Sequence, residues 1–273
     1  MIELKEIFNQ PREDEKTGTD GLLYCVRCGT PRQKQLEVLG RQYRPRCLCA
    51  CQAEAARKAE ETRRAMELRD RIGRYRSVGM ADEALKQATF ENDRYGGGEA
   101  EIAIRYVNQW EQMRQQALGL ILWGPVGTGK TYLAACIANA LLDRAVPVMM
   151  TSFGRILGGM PGAATGEQSR YIDSFNSFDL LVIDDLGAER NTEFALEQVY
   201  NIIDARYRAR LPMIVTTNLT LQEMKNPKSL ARQRIYSRVL ERCVPLNVNR
   251  RAIREENAGS AVRQTAALLK PES

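Results

Sequence analysis

A chain of 273 residues with 44% hydrophobic side chains is long enough for one large core and a smaller module. The absence of histidine rules out histidine-based catalysis and metal ligation, and no uncharged apolar run approaches the ~18 residues of a membrane span. The net charge of +6 is unevenly spread, with 12 Lys/Arg against 3 Asp/Glu in residues 201–254 and 3 against 8 in residues 151–200. Such a basic concentration suits a polyanion or a solvated face. Met1–Glu6 has no basic stretch leading into an apolar one, so no secretory signal and a cytoplasmic location are expected. In that compartment seven cysteines argue for metal over disulfides.

Five of those cysteines fall within residues 1–51. Cys25-Val26-Arg27-Cys28-Gly29 is a turn that places two thiolates on one metal. Cys47-Leu48-Cys49-Ala50-Cys51 follows after 18 intervening residues, the spacing of a zinc ribbon. Zinc takes four ligands in a closed structural site, so one of the five is a bystander. Cys25 and Cys28 form one pair. Cys49 and Cys51 are preferred for the other because they run into the next helix, with Cys47 competing. A module of about 50 residues cannot bury enough surface to fold unaided, and metal supplies the missing energy. Arg32, Lys34, Arg41, Arg44 and Arg46 in its loop suit contact with DNA.

Glu54–Arg71 reads as a charged, solvent-facing helix with Glu60–Arg64 and Glu67–Arg71 pairs. Gly96-Gly97-Gly98 marks a break. A helix over Glu99–Gln116 then puts Ile102, Tyr106, Trp110 and Met113 on one face. Beyond it, strands are expected at Gly119–Trp123, Val146–Thr151, Leu180–Asp184, Met213–Thr217 and Val244–Val248. Helices are expected near Lys130–Asp143, Thr192–Ala209 and Arg232–Arg242. Continuous apolar strands separated by helices imply an α/β fold, a parallel five-stranded sheet covered on both faces.

The chemistry sits at the strand ends. Gly124-Pro125-Val126-Gly127-Thr128-Gly129-Lys130-Thr131 is a complete G-x-x-x-x-G-K-T phosphate-binding loop between strand and helix. Its N–H groups and the helix N-terminus cradle phosphate, Lys130 reaches the β- and γ-phosphates, and the Thr131 hydroxyl ligates Mg²⁺. Leu180–Asp185 is an apolar strand ending in paired acids. Asp184 suits the orientation of Mg²⁺, and Asp185 the polarisation of an attacking water. Met213–Asn218 ends in an amide able to hold that water. Arg238, in a basic helical stretch, and Arg254, after the last strand, are candidates to stabilise charge during phosphoryl transfer.

In that order these elements resemble the AAA+ ATPases. Leu181-Val182-Ile183-Asp184-Asp185-Leu186-Gly187 and Ile214-Val215-Thr216-Thr217-Asn218 are similar to the bacterial helicase-loader branch, the DnaC/DnaI proteins, which includes the transposition helper IstB. The resemblance covers residues 89–258. It implies a P-loop ATPase with a short C-terminal lid, in which Asn218 is sensor 1, Arg238 the arginine finger and Arg254 sensor 2. It also implies that nucleotide is held between subunits of an open ring or helical oligomer, and that Phe90, in Thr89-Phe90-Glu91-Asn92, lies beside the adenine. Asp185 stands where many AAA+ proteins have Glu, so hydrolysis is expected to be slow or assisted by Glu189. The short lid leaves Arg250 and Arg251 as alternatives for sensor 2.

The expected organisation is a zinc-binding domain in residues 1–51, a helical linker over 52–98, an ATPase domain with lid over 99–258 and a tail over 259–273. The expected cofactors are ATP, Mg²⁺ and Zn²⁺. The expected function is ATP-driven loading of a replicative DNA helicase onto single-stranded DNA. A transposition helper, or a nucleotide-dependent scaffold with little hydrolysis, are the alternatives. Ser152–Asn176 is the expected DNA contact, with Phe153 and Tyr171 stacking on bases and Arg155 and Arg170 on the backbone.

Overall fold

The computed structural model describes residues 10–93, 96–161, 166–188 and 192–250. The chain divides into two compact units, Met1–Arg69 and Asp70–Ser273.

In the first unit β1 (Glu15–Thr17) pairs antiparallel with β2 (Leu23–Cys25), and β3 (Leu36–Val38) with β4 (Arg41–Tyr43). So few residues leave little to bury, and polar groups do much of the holding. Glu15 is buried and accepts from Arg46 Nη1 at 3.0 Å and from the Arg12 N–H at 3.0 Å, while Arg32 pairs with Asp14. The β3–β4 hairpin keeps Leu36, Val38, Leu39 and Tyr43 exposed. The long helix α1 (Ala50–Gly79) begins in this unit and runs past its boundary. It is longer at both ends than the Glu54–Arg71 helix expected, and Gly73 does not interrupt it. Glu60 pairs with Arg64 at 2.7 Å, and Glu67 pairs with Arg63 at 2.5 Å.

The second unit holds short α2 (Glu83–Lys86), α3 (Gly98–Asn108) and α4 (Trp110–Gln115) ahead of its sheet. The helix expected over Glu99–Gln116 is therefore two helices meeting at Gln109. Its buried stripe is Ala103, Tyr106, Val107 and Trp110, while Ile102 is exposed. Small Ala103 allows close approach to the core, and Tyr106 meets Trp110 edge-on at 6.1 Å. That shifts the buried face by one residue from the one drawn through Ile102.

The sheet follows: β5 (Gly119–Trp123), α5 (Lys130–Asp143), β6 (Val148–Ser152), α6 (Phe153–Gly158), α7 (Glu167–Ser174) and β7 (Leu180–Leu186). Then come α8 (Glu193–Arg208), β8 (Met213–Thr217), α9 (Leu221–Lys225), α10 (Leu230–Arg242) and β9 (Cys243–Asn247). The strands lie in the order β6-β7-β8-β5-β9, all parallel. Alternate strand residues feed two cores. Leu120, Leu122, Val182 and Ile214 pack with α3–α5, whereas Ile121, Leu181, Ile183 and Val215 pack with α6, α8 and α10. The five-stranded parallel sheet between helices is thus present, with Cys136 of α5 and Cys243 of β9 buried in its cores. Because every strand runs the same way, the C-terminal ends of β5, β7 and β8 meet at one edge, and the phosphate loop and both acidic positions arrive there together.

One buried cation stitches the opposite edge. Arg206, on α8 and fully buried, donates to the carbonyls of Phe175, Phe178, Asp179 and Pro212 at 2.7–3.2 Å. Burial pulls its pKa down to about 9, still above neutrality, so it stays charged. Removing it leaves several buried carbonyls unpaired, a loss of about 3 kcal/mol or more. Arg206→Ala should lower the urea midpoint accordingly, with Arg206→Lys intermediate because an ammonium cannot span the same fork. An unchanged midpoint in equilibrium unfolding would show that the carbonyls find other donors.

Candidate nucleotide site

The loop between β5 and α5 carries the phosphate-binding residues. Gly129 caps α5 with a left-handed backbone (φ 88°), a conformation open to glycine at little cost and strained for most other residues. It turns the chain so that α5 starts with its N-terminus facing the loop. Thr128 is buried and donates to the Pro125 carbonyl at 3.0 Å. Lys130 is also buried, and its ammonium donates to the carbonyls of Gly124 at 3.0 Å and Pro125 at 2.7 Å. Val126 is exposed at the rim, and Gly124 and Gly127 also have positive φ.

The acids lie directly across. Thr131 Oγ1 donates to Asp184 Oδ1 at 2.9 Å, so the two residues expected to hold Mg²⁺ touch. Burial raises the pKa of Asp184, and the hydroxyls of Thr216 and Thr131 oppose that shift. Hydroxyl plus carboxylate is the hard oxygen donor set that Mg²⁺ takes. β7 continues to Leu186, two residues past the expected end, and its register against β8 shifts between Ile183 and Leu186. Asp185 stands in that irregularity, exposed, with φ 59°. A non-glycine residue there costs about 1–2 kcal/mol, and its N–H is held by Thr216 Oγ1 at 2.9 Å.

Thr216 and Thr217, which sequence reasoning passed over, are both buried. Thr216 Oγ1 also donates to Asp184 Oδ1 at 2.7 Å, and Thr217 Oγ1 donates to the Leu186 carbonyl at 2.6 Å. The only sequence signal was two hydroxyl residues ending an otherwise apolar strand. Asn218 follows them, exposed and just past β8.

Other expected site residues are less directly placed. Phe90 packs against the core near α5, where Tyr132 donates to the Thr89 carbonyl at 3.4 Å. Arg250 closes a buried ion pair with Asp93, at 2.8 and 3.0 Å, tying the end of the Phe90 segment to the chain beyond β9. Arg238 is held within its own chain. Nε donates to Asp204 at 2.7 Å, Nη2 to the Tyr200 hydroxyl at 2.9 Å, and the guanidinium lies 4.7 Å from the Tyr200 ring centroid. Glu189, Arg251 and Arg254 lie outside the described residues.

In the segment expected to meet DNA, the aromatic part needs correcting. Phe153 is a core residue, and Tyr171 is partly buried, stacked edge-on against Phe175 at 5.2 Å. Both feed the apolar layer under β7, so neither offers a free face to a base. Arg155 and Arg170 are exposed.

In the first unit Cys25, Cys28, Cys49 and Cys51 bring their sulfurs within 4.8 Å of one another, the one such cluster among the described residues. Gly29, at φ 68°, lets its N–H return to the Cys25 carbonyl at 2.9 Å and close the turn. Cys47 lies outside the cluster and faces the Pro31 carbonyl at 3.6 Å. A ZnS₄ tetrahedron with bonds of about 2.3 Å has edges of about 3.8 Å. The Cys25–Cys51 separation of 3.7 Å matches such an edge, while Cys49 and Cys51 stand closer, at 3.2 Å.

Comparison with known proteins agrees with this geometry. The family model described as IstB-like ATP binding protein matches residues 65–261. The replicative helicase loader DnaC of Escherichia coli K12 is 28% identical over 144 residues, 51% of this chain and 58% of the loader. The chain thus spans less than two-thirds of that relative's length. The phage-like element PBSX protein XkdC of Bacillus subtilis 168 is 27% identical over 249 residues, 84% of this chain and 83% of its own. Among solved structures, DnaI covers 63% of this chain and 96% of its own, with a TM-score of 0.53 at 22% identity. A DnaC helicase loader covers 62% and 100%, with a TM-score of 0.51 at 21% identity. These two show a shared fold.

The buried acid supplies a test independent of turnover. Asp184→Asn keeps an oxygen for the Thr131 and Thr216 hydroxyls but removes a desolvated charge, so without nucleotide or Mg²⁺ it should raise Tm by a few degrees, about 1 kcal/mol. Because the folded-state pKa is raised, the gap is full above that value and narrows as pH falls through it, where wild type carries a neutral carboxyl too. Thermal melts from pH 8 to pH 4 should show this trend. A gap that widened toward acid would mean that Asp184 is held as a stabilised carboxylate.

Proposed function

We propose that this chain, which belongs to the IstB-like ATP binding protein family, is an AAA+ ATPase that loads a replicative DNA helicase onto single-stranded DNA. The observation that carries the nucleotide half is the meeting of a complete phosphate loop with Asp184 through Thr131. Gly124–Thr131 would bind the phosphates, with Lys130 exchanging its loop carbonyls for phosphate oxygens. Thr131 and Asp184 would hold Mg²⁺, which supplies charge neutralisation on the β- and γ-phosphates when bound. Asp185 and Asn218 would orient the attacking water, and Phe90 would flank the base.

The loader half is supported by the curated DnaC match and by the charge pattern. Arg155 and Arg170 remain the DNA-contact residues in this reading, as backbone contacts only. Arg238 would act on the nucleotide of a neighbouring subunit in an open ring or helical oligomer, which requires its release from Asp204. Arg254 would serve as sensor 2. The organisation drawn from composition is retained, with the cysteine module of residues 1–51 contacting the helicase and the ATPase domain extending from residue 99 to residue 258. A cytoplasmic location accompanies this reading, and no helix among the described residues is long and apolar enough to cross a membrane. A transposition helper is the second reading, favoured by the breadth of the family match.

The fold and the two readings separate by experiment. ATP turnover should be measurable and stimulated by single-stranded DNA, and Lys130→Ala should abolish it while leaving the melting curve in place. Stimulation by duplex instead of single strands would favour the transposition helper, and absent turnover the scaffold. Co-purification with the host's replicative helicase should require the cysteine module.

The metal part has its own readout. The purified protein should contain close to one zinc per chain on elemental analysis, lost in Cys25→Ser, Cys28→Ser, Cys49→Ser and Cys51→Ser but retained in Cys47→Ser. Equal loss in Cys47→Ser would place it among the ligands.

A further inference from the structure

Thr216 hydrogen-bonds both residues of the acid pair at the end of β7, the Asp184 carboxylate and the Asp185 N–H. Its hydroxyl has a single proton, given to Asp184 Oδ1 at 2.7 Å, and its lone pair accepts the Asp185 N–H at 2.9 Å. Donation and acceptance by one oxygen polarise each other in the same direction. The side chain is fully buried, so water does not substitute for either partner. Asp185 meanwhile occupies a left-handed backbone where β7 slips out of register with β8. Thr217 secures the far side of that slip through the Leu186 carbonyl at 2.6 Å.

The arrangement has a directional consequence. Asp184 Oδ1 receives both the Thr131 and the Thr216 hydroxyls, which fixes the carboxylate plane. The next acid is turned out at the irregularity instead of continuing the strand, which leaves it exposed while Asp184 is mostly covered. The Thr216 hydroxyl links the Asp184 carboxylate to the Asp185 backbone.

We propose that Thr216 is a positioning residue for ATP hydrolysis, holding Asp184 in its metal-facing orientation and Asp185 in the outward backbone geometry from which it addresses the attacking water. The proposal rests on the ATPase reading above. It gives the buried penultimate residue of β8 a role separate from that of the exposed Asn218, which would hold the water itself.

The test uses full-length protein with Thr216→Val, which keeps shape and loses the hydroxyl, and Thr216→Ser, which keeps the hydroxyl. In Thr216→Val, kcat should fall on the order of 100-fold, as expected when a reacting group is misplaced. KM for ATP and the affinity for a fluorescent ATP analogue should change by about threefold or less, because the phosphate loop is untouched. Thr216→Ser should recover kcat to within about fivefold. A purely structural role would lower the melting temperature without splitting kcat from KM. Amide hydrogen exchange at Asp185 supplies a readout that needs no turnover: protection should drop in Thr216→Val and persist in Thr216→Ser. Wild-type kcat in Thr216→Val overturns the proposal, and so does unchanged Asp185 protection. If wild type itself turns over no ATP, the ATPase reading falls, and with it the hydrolytic role of Thr216, while the exchange data still decide whether the hydroxyl holds Asp185.

Discussion

A carboxylate at the end of a buried strand has to be satisfied by whatever the neighbouring strands and helices bring within reach, because water arrives from one side only. In this chain the neighbours are hydroxyls. Thr131, from the first turn of α5, and Thr216, from β8, both donate to Asp184 Oδ1. That one oxygen joins the phosphate loop, the acidic strand and the adjacent strand. The sheet order places β8 between β7 and β5, so the strand carrying the threonines lies beside the acids while Thr131 reaches Asp184 directly from α5. Asp184 is therefore the point at which topology becomes chemistry, and its raised pKa expresses the cost of burying a carboxylate there.

The parts legible in the sequence are those written locally. β5, β8 and α5 have the bounds expected of them, since each is punctuated by glycine, proline or a long apolar run. The four clustered cysteines were likewise written in their spacing, and the geometry sets Cys47 apart because its sulfur faces the Pro31 carbonyl. The parts that were not legible depend on partners distant in sequence. Arg206 reads as another surface arginine until the carbonyls of Phe175, Phe178 and Asp179 close around it. The Ile102 face failed for a similar reason. The periodicity of α3 admits either stripe, and contact with the core selects the one through Ala103. Phe153 and Tyr171 look like stacking residues in isolation, but they lie under β7 where the sheet needs apolar cover.

In the small unit the same logic runs through sulfur. The Thr30 hydroxyl, given to the Cys28 sulfur at 3.1 Å, pulls the Cys28 thiol down to about 5, whereas Cys51, beside Cys49, is pushed up to about 12. Four thiolates this close repel one another, so they do not all ionise without a cation among them. On the proposed reading a divalent metal would resolve that conflict and supply the cross-link that two short antiparallel pairs cannot provide through apolar burial. The buried Glu15 with Arg46, and Arg32 with Asp14, are what the unit uses elsewhere in place of a core.

Three polar side chains of the proposed site, Lys130, Thr131 and Arg238, already have protein partners. Lys130 rests on the carbonyls of Gly124 and Pro125, Thr131 on Asp184, and Arg238 on Asp204 and Tyr200. On the proposed reading, each step of the cycle exchanges one set of partners for another. Phosphate would replace loop carbonyls around Lys130, and Mg²⁺ would enter between Thr131 and Asp184. Exchange of this kind is favourable to switching, because the desolvation of Lys130 and Asp184 is met when the chain folds and is not met again on binding. The same holds less strongly for Arg238, which is only partly covered and whose partner Asp204 also pairs with Arg208 at 2.8 Å. Asp204 therefore keeps a cation when Arg238 leaves. On that reading a neighbouring subunit's phosphate would compete with a shared, partly solvated ion pair and with the Tyr200 hydroxyl and ring, so drawing this arginine into play would exchange a set of α8–α10 contacts for the phosphate.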